Sequence, residues 1–360
     1  MRKMKIIFIT TGVQTGGAER QLALLAKGLK ARDFDPVIIS LTGANTAGML
    51  PDFVGLDVVE LDCRPRLKNL LNLFRLYRII KDYKADIIQG WMYGGNIFAS
   101  IFGYKAGAKI YHSVRASDMD QERYGSRIWL NAKLTSSIEE VIANSYAGAD
   151  FHVAKGFNAA NMKVIPNGID TELFNQDDKR GKLMREQLGI KPDEVSFLYA
   201  ARMDPMKAHD IVLSVARLCP EIRFVLAGAE TEALDVPDNV IALGISYDMP
   251  ALYNANDWCL SLSNYGEGFP NVIAEAMACG TPVCANDVGD SKLIIANNEH
   301  LITENQPEKI AEQIRILAQH RISNSAQKDL VECIKKQFSI DIMLDNYQFL
   351  YSKHKKQSNS

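Results

Sequence analysis

A chain of 360 residues, 47% of them apolar and 23% charged, is too long for one hydrophobic core and too apolar to be disordered; its length suits about two globular domains. Its 41 Lys and Arg against 43 Asp and Glu leave a net charge of -2, which excludes whole-protein attraction to nucleic acid and leaves any anionic partner to a local patch. The six cysteines, at 63, 219, 259, 279, 284 and 333, form no CxxC pair and mostly lie in apolar runs, so they read as buried, reduced thiols of a cytoplasmic protein.

The start, MRKMKIIFITTGVQTGG, joins a basic end to a short apolar run in the manner of a signal peptide. That run is about half the 18 residues of a membrane span and leads into glycines, so it reads as a first buried strand; no segment is long enough to cross a membrane. KIIFIT (5–10), PVIISL (36–41), VVEL (58–61), ADIIQG (85–90), AKIYHS (108–113) and EVIANS (140–145) are strand-like runs separated by helical patterns. VSFLYAA (195–201), IRFVLAG (222–228), NVIALG (239–244), DWCLSLS (257–263) and TPVCAN (281–286) repeat the scheme. Such alternation means parallel sheets covered on both faces, hence two doubly wound α/β domains. Pro166 and Asn167-Gly168 in IPNGIDTELF break the pattern, placing the domains at 1–167 and 168–337. Beyond residue 305 the pattern is helical, and an amphipathic helix over about 338–356 with a basic end is expected to rejoin the first domain. Ligands of open α/β sheets bind beyond the carboxyl ends of the strands, so two facing sheets would share one cleft.

Between the third and fourth strands, RPRLKNLLNLFRLYRIIKDYK (64–84) sets Arg64, Arg66, Lys68, Arg75, Arg78, Lys81 and Lys84 against one acid, Asp82. Leu67, Leu70, Leu71, Phe74, Tyr77 and Ile80 recur at helical spacing, so the apolar side is expected to pack on the sheet. The surplus cations suit peripheral contact with anionic lipid, each worth about 1 kcal/mol.

Three loops carry candidate chemistry. Gly12, Gly16 and Gly17 lie between the first strand and a helix, either to let backbone amides approach an anion or only to make a tight turn; neither the GxGxxG nor the GK[ST] fingerprint is present. Arg202 and Lys207 in ARMDPMKAHD follow a strand; they suit a diphosphate, or form a solvated loop with Arg202 paired to Asp204. In NYGEGFPNVIAEAMACGTPV, Gly266 and Gly268 flank Glu267, a helix begins near Pro270, and Glu275 returns to within about 80° of the same helix face. Two such carboxylates hold two hydroxyl-bearing parts of one ligand, or are surface acids.

GEGFPNVIAE resembles the Glu-x7-Glu signature of retaining family 4 glycosyltransferases, and ALGISYDMPALYNANDWCLSLSNYGEGFPN is similar to them throughout. RMDPMK resembles their phosphate-binding loop, IPNGID their interdomain segment and TGGAER their N-terminal glycine loop, in the same order over nearly the whole chain. The resemblance implies GT-B architecture: two Rossmann-like domains facing a central cleft, the N-terminal one on the acceptor side and the C-terminal one binding the nucleotide-sugar. It implies metal-independent, cofactor-free transfer of a sugar with retention, from a UDP-sugar by preference, carrying a hexose or N-acetylhexosamine. Glu267 would meet the donor sugar and Glu275 the ribose hydroxyls. Gly268, Phe269, Pro270, Asn271 and Val272, with Gly16 and Gly17, would surround the sugar and diphosphate, and Arg202 and Lys207 would hold that diphosphate, whose departing oxygen takes the acceptor proton.

His112 stands where many relatives carry a cleft histidine near the donor sugar, with Arg115 and Asp118 following on the acceptor side. Asp118-Met119-Asp120 spells the DxD of metal-dependent transferases, but the GT-B pattern needs no metal. Asp290 in VGDSKLII replaces a glycine of many relatives and would bear on sugar or acceptor; similar Gly-Asp-Ser segments occur in enzymes of bacterial surface polysaccharide assembly, such as capsule and lipopolysaccharide. That favours a glycan or lipid-linked acceptor and a cytoplasmic protein held peripherally on the inner membrane face. The alternatives are a nucleotide-sugar epimerase of related architecture and a noncatalytic sugar-nucleotide-binding protein; a dehydrogenase lacks its GxGxxG here.

Overall fold

The computed structural model of the chain describes residues 2–14, 16–42, 51–63, 69–118, 121–319 and 321–353. The residues up to Gly168 form β1 (Met4–Thr10), α1 (Gly17–Ala31), β2 (Phe34–Ser40), β3 (Asp57–Glu60), α2 (Leu70–Tyr83), β4 (Ile87–Trp91), α3 (Met92–Ala106), β5 (Lys109–Val114), α4 (Gln121–Leu134), β6 (Glu140–Ala143), α5 (Tyr146–Ala154) and β7 (Met162–Val164). There follow α6 (Asp178–Gln187), β8 (Ser196–Ala200), α7 (His209–Leu218), β9 (Arg223–Ala227), β10 (Val240–Ala242), α8 (Met249–Ala255), β11 (Trp258–Ser261), α9 (Asn271–Ala278), β12 (Val283–Asn286), α10 (Ser291–Ile295), β13 (Leu301–Ile302), α11 (Pro307–Ala318), α12 (Asn324–Phe338) and α13 (Ile340–Ser352). Unit 1 comprises the residues up to Gly168 and those from Ile340 onward; unit 2 is Ile169–Ser339.

Among the described residues, unit 1 holds a seven-stranded parallel sheet in the order β3-β2-β1-β4-β5-β6-β7, and unit 2 a six-stranded one in the order β10-β9-β8-β11-β12-β13. Sheet burial on both faces explains the unbroken apolar run of β1. Ile7 and Ile9 pack toward Leu76 and Ile80 of α2, Ala99 of α3 and Ile128 of α4. Ile6 and Phe8 pack on the other side with Leu22, Leu25 and Leu29 of α1 and Met343, Leu344 and Tyr347 of α13. Side chains alternate across a strand, so a strand covered twice needs an apolar residue at every position. In unit 2, Leu198 of β8 faces α8, α9 and α12, whereas Phe197 and Tyr199 face α7 and α11.

Four local features differ from the sequence reading. β7 and β13 are edge strands of three and two residues, too short to leave an apolar period. The closing helix begins at Ile340, because Ser339 takes an extended conformation (φ -66°, ψ 157°) and Phe338 ends α12 within the core of unit 2. In α2, Leu76 and Ile80 face the sheet while Leu71 is 79% and Phe74 62% exposed. Positions 76 and 80 lie about 40° apart round the helix and 74 about 160° from 76, so a single stripe cannot bury all of them. Arg64, Arg66, Leu67 and Lys68 lie outside the described residues.

The entry to α3 is tightly packed against β1. Met92 turns with φ +64°, and α3 then passes over β1 so closely that a Cβ on Gly95 would lie 1.9 Å from the Ile9 carbonyl oxygen. Gly95→Ala is therefore expected to destabilise by about 2 kcal/mol or more, as overpacking against backbone does. The check is the urea midpoint; an unshifted midpoint would show that α3 lifts away from β1 without cost.

Candidate functional site

Each sheet reverses its strand order once at its centre, between β1 and β4 in unit 1 and between β8 and β11 in unit 2. Ligands of open parallel sheets bind outside the carboxyl ends at such a switch point. In unit 2 the loops released there are the two that carry Arg202 with Lys207, and Glu267.

The loop after β8 is built on Asp204. Its carboxylate accepts from the Met206 amide at 3.1 Å and from the Arg202 guanidinium at 3.0 Å, and its carbonyl accepts from the Lys207 amide at 2.8 Å. Burial alone would raise the Asp204 pKa, but these donors outweigh it and hold the carboxyl below its ordinary range. The buried Tyr199 hydroxyl donates to the Lys207 carbonyl, and Ala208 carries a left-handed φ of +49° into α7. The Arg202–Asp204 pair of the solvated-loop reading is thus present, with the guanidinium side chain still 57% exposed.

Lys207 turns the other way. Its ammonium forms an ion pair with Oε1 of Glu267, and Ser263 Oγ donates to the same oxygen at 2.7 Å while lying 3.4 Å from the ammonium. The two charged side chains are only 19% and 14% exposed, so the attraction is little screened by solvent. Gly266, at φ +81°, makes the turn that presents Glu267. The 288–290 segment is laid on this turn: Asp290 N–H donates to the Gly268 carbonyl at 2.9 Å, and a Cβ on Gly289 (φ +63°) would lie 2.4 Å from that oxygen. Asp290 is 4% exposed, which makes it a buried residue behind the turn.

Phe269 is also a core residue, edge-on to Phe338 at 5.2 Å, so only its backbone remains for a ligand. Pro270 opens α9, no side chain caps the first turn, and Asn271 and Val272 are half-buried there. Glu275 is the charged residue in a helix otherwise embedded in the core, and the Tyr253 hydroxyl of α8 donates to its Oε2 at 3.0 Å.

In unit 1, Gly16 and Gly17 open α1, again without a capping side chain, and the Trp91 indole at the end of β4 donates to the Ala18 carbonyl at 2.9 Å. This bond ties the end of β4 to the first turn of α1, beside the switch point. Arg115, just past β5, lies 3.7 Å over the Trp91 ring and donates to Ser113 Oγ (2.9 Å), Asn167 Oδ1 (3.0 Å) and the Tyr347 hydroxyl (2.7 Å). Burial lowers its pKa. Its guanidinium nitrogens are each engaged within unit 1, so it serves as a tie rather than a hand held out to an acceptor. Asp118 is exposed at φ +43°; Met119 and Asp120 lie outside the described residues.

His112 is not where the sequence reading expects it. β5 continues two residues past it, which puts the ring inside the layer between the sheet and α3, fully buried, with Nε2 2.7 Å from Ser100 Oγ and Nδ1 without a partner. Burial pushes its pKa down to about 3. Ser263, Tyr253 and Trp91 are the residues that the sequence reading missed. Ser263 sits four positions before Glu267, immediately ahead of the NYGEGFPN stretch, where its nearness in sequence was the available signal, whereas a buried tyrosine or tryptophan carries no local signal of its contact.

Two family models match the chain, one described as Glycosyl transferases group 1 over residues 182–337 and one as Glycosyltransferase Family 4 over residues 15–173. The chain belongs to glycosyltransferase family 4. The first match lies wholly inside unit 2 and takes in its whole sheet, and the second covers most of unit 1 of this family 4 chain, including every strand of its sheet but β1. A D-inositol 3-phosphate glycosyltransferase of Mycobacterium tuberculosis is 35% identical over 150 residues, 37% of this chain and 31% of the relative. The chain thus spans about a third of the length of the curated relative it matches. Among solved structures, HepE of Anabaena in complex with UDP-glucose superposes with a TM-score of 0.84 at 21% identity, covering 97% of this chain and 100% of that one. A sucrose-phosphate synthase of Thermosynechococcus elongatus gives 0.82 at 20% identity, over 98% and 99%. These likenesses show the GT-B fold.

A pH effect on stability follows from the buried imidazoles. His152 donates from Nδ1 to the Gly148 carbonyl at 2.6 Å, accepts from the Tyr93 hydroxyl at 2.8 Å, and is pushed by burial down to about 4; His112 lies lower still. Below the unfolded value of 6.5 the unfolded chain takes up protons that these folded rings refuse, so stability is full above pH 6.5 and falls as the pH drops toward 4. Each ring contributes a slope of about 1.4 kcal/mol per pH unit. The urea midpoint is expected to fall from pH 7 to 4.5, less steeply in His152→Gln; equal slopes would remove this assignment.

Proposed function

We propose that this protein is a retaining glycosyltransferase that moves a sugar from a nucleotide-sugar, UDP-linked by preference, to a glycan or lipid-linked acceptor of bacterial surface polysaccharide assembly. The observation that carries the reading is the meeting of Lys207, Glu267 and Ser263 at the unit 2 switch point. On the arrival of a donor, the ammonium exchanges its carboxylate partner for the diphosphate, and the released carboxylate accepts from hydroxyls of the sugar. Arg202 adds a second cation from the same loop, and the uncapped first turn of α9 at Asn271 and Val272 adds amide dipoles. Fixed positive groups aimed at the leaving diphosphate stabilise the charge that develops as the sugar departs. The reading takes these donors as sufficient without a metal cofactor.

The UDP-glucose complex of HepE supports a UDP-linked donor, and the inositol phosphate relative adds a phosphorylated polyol to the acceptors to screen. On the membrane side, Arg75, Arg78 and Lys81 of α2 are exposed beside Leu71 and Phe74, which suits an anionic lipid surface and a peripheral place on the cytoplasmic face. No helix among the described residues is long and apolar enough to cross a membrane.

Three measurements test this. UDP-sugars at 100 times their Kd should stabilise the fold by about 2.7 kcal/mol, with or without Mg²⁺, read as a rise in Tm. Lys207→Ala and Glu267→Ala should each lower turnover by about 10²-fold with the fold retained; wild-type rates would overturn the site. Sedimentation with vesicles should show preference for anionic lipid that weakens in Arg75→Glu/Arg78→Glu. Turnover of donor without acceptor would favour the epimerase, and binding without turnover the noncatalytic reading.

A further inference from the structure

Glu275 is an anomaly of packing. In α9, NVIAEAMA, its neighbours Ile273, Ala274, Ala276, Met277 and Ala278 are all buried, and Glu275 itself is half-buried among them. A carboxylate in such surroundings is costly unless it is hydrogen-bonded, and its side chain has three torsions to fix before it can recognise anything. The partner that the core provides is Tyr253, which has no exposed surface, packs 6.1 Å from the Phe174 ring and is anchored in the backbone by Thr281 Oγ1, which donates to its carbonyl at 2.7 Å. Its hydroxyl reaches Glu275 Oε2 at 3.0 Å. A phenol donates one proton, and here that proton is committed to the carboxylate.

We propose that Tyr253 is a positioning residue for nucleotide recognition: its hydroxyl holds the Glu275 carboxylate in the one orientation that accepts hydrogen bonds from the ribose hydroxyls of the donor. This rests on the assignment of Glu275 to the ribose. Tyr253 touches no ligand; it acts from within the core and through Glu275 alone. The consequence is a division of labour between the two carboxylates of the motif. Glu267 is held by Ser263 and by a cation that must also serve the diphosphate, so its partners change on binding, whereas Glu275 is held by a buried phenol that has nowhere else to go.

The test measures binding of UDP and GDP, and of their 2′,3′-dideoxy forms, by calorimetry to the full chain, wild type and Tyr253→Phe. The substitution keeps the ring and its packing and removes one oxygen. Wild type should prefer the ribonucleotide by about tenfold or more, the worth of hydrogen bonds to a charged group. Tyr253→Phe should lose most of that preference while binding the dideoxy form as wild type does, with kcat at saturating donor little changed and KM raised. A merely structural tyrosine would weaken both nucleotides alike. In a Glu275→Ala background Tyr253→Phe should cost nothing further, because the two act as one unit.

Full ribose preference in Tyr253→Phe, or an added loss in the Glu275→Ala background, would overturn the inference while leaving the transferase reading intact. A wild-type chain that binds ribonucleotide and dideoxy form equally would overturn the ribose assignment beneath it. A chain that binds neither nucleotide would overturn the proposed function and this inference together.

Discussion

Because β8 and β11 pair in parallel, Phe197 beside Trp258 and Tyr199 beside Leu260, their carboxyl ends finish side by side and the loops they release share one small volume. The stacked rings of Phe197 and Trp258, 6.1 Å apart, sit at the base of that pairing. Lys207 and Glu267 are separated by sixty positions in the chain, yet the strand register leaves them little choice but to meet. The same register places Asn286, at the end of β12, where its amide donates to the Ser263 carbonyl at 3.3 Å, so the third strand braces the residue that joins the other two.

An ion pair this little exposed is a demanding arrangement. Each charge gives up water, and the pair recovers that cost only if the geometry is good and the remaining lone pairs are satisfied. Ser263 supplies the additional hydrogen bond. The arrangement also explains how a phosphate-binding ammonium waits without a phosphate: Glu267 and Lys207 are each other's stand-in ligand, the carboxylate occupying the place of an anion and the ammonium that of a donor. Removing one leaves the other partly buried without its opposite charge.

The fold was legible in the sequence wherever burial on two faces imposes a long apolar run, as in KIIFIT and VSFLYAA, because no alternation is then tolerated. Edge strands such as β13, joined to β12 through two register pairs only, impose no such demand and left no trace. At the candidate site, the residue types and their loops were legible from the motifs; the directions of the side chains were not. His112 looked like a strand-end residue because AKIYHS closes one position after it, but β5 runs on to Val114, so that Arg115 is the first residue past the strand. Arg115 in turn is fixed by Asn167 and Tyr347, 52 and 232 positions away, and contacts at that separation have no local signature. Leu71 and Phe74 show the same limit on a helix: periodicity says that a face is apolar, and the tertiary fit decides which residues of it are covered.

The chain's route through unit 1 bears on how the protein is made. Ile6 and Phe8 of β1 are covered in part by Met343, Leu344 and Tyr347, which follow them by more than three hundred positions, and Gly28 leaves room for Leu344 so close that a Cβ there would lie 2.3 Å from its Cδ1. All of unit 2, from Ile169 to Ser339, is synthesised before those covering residues exist. Unit 2 is contiguous and can complete its core as it emerges, whereas unit 1 must wait with one face of its central strand covered by α1 alone until α13 arrives. For that interval the first half of the chain is a client for whatever shields apolar surface in the cell, and shortening the chain before residue 340 would make the interval permanent.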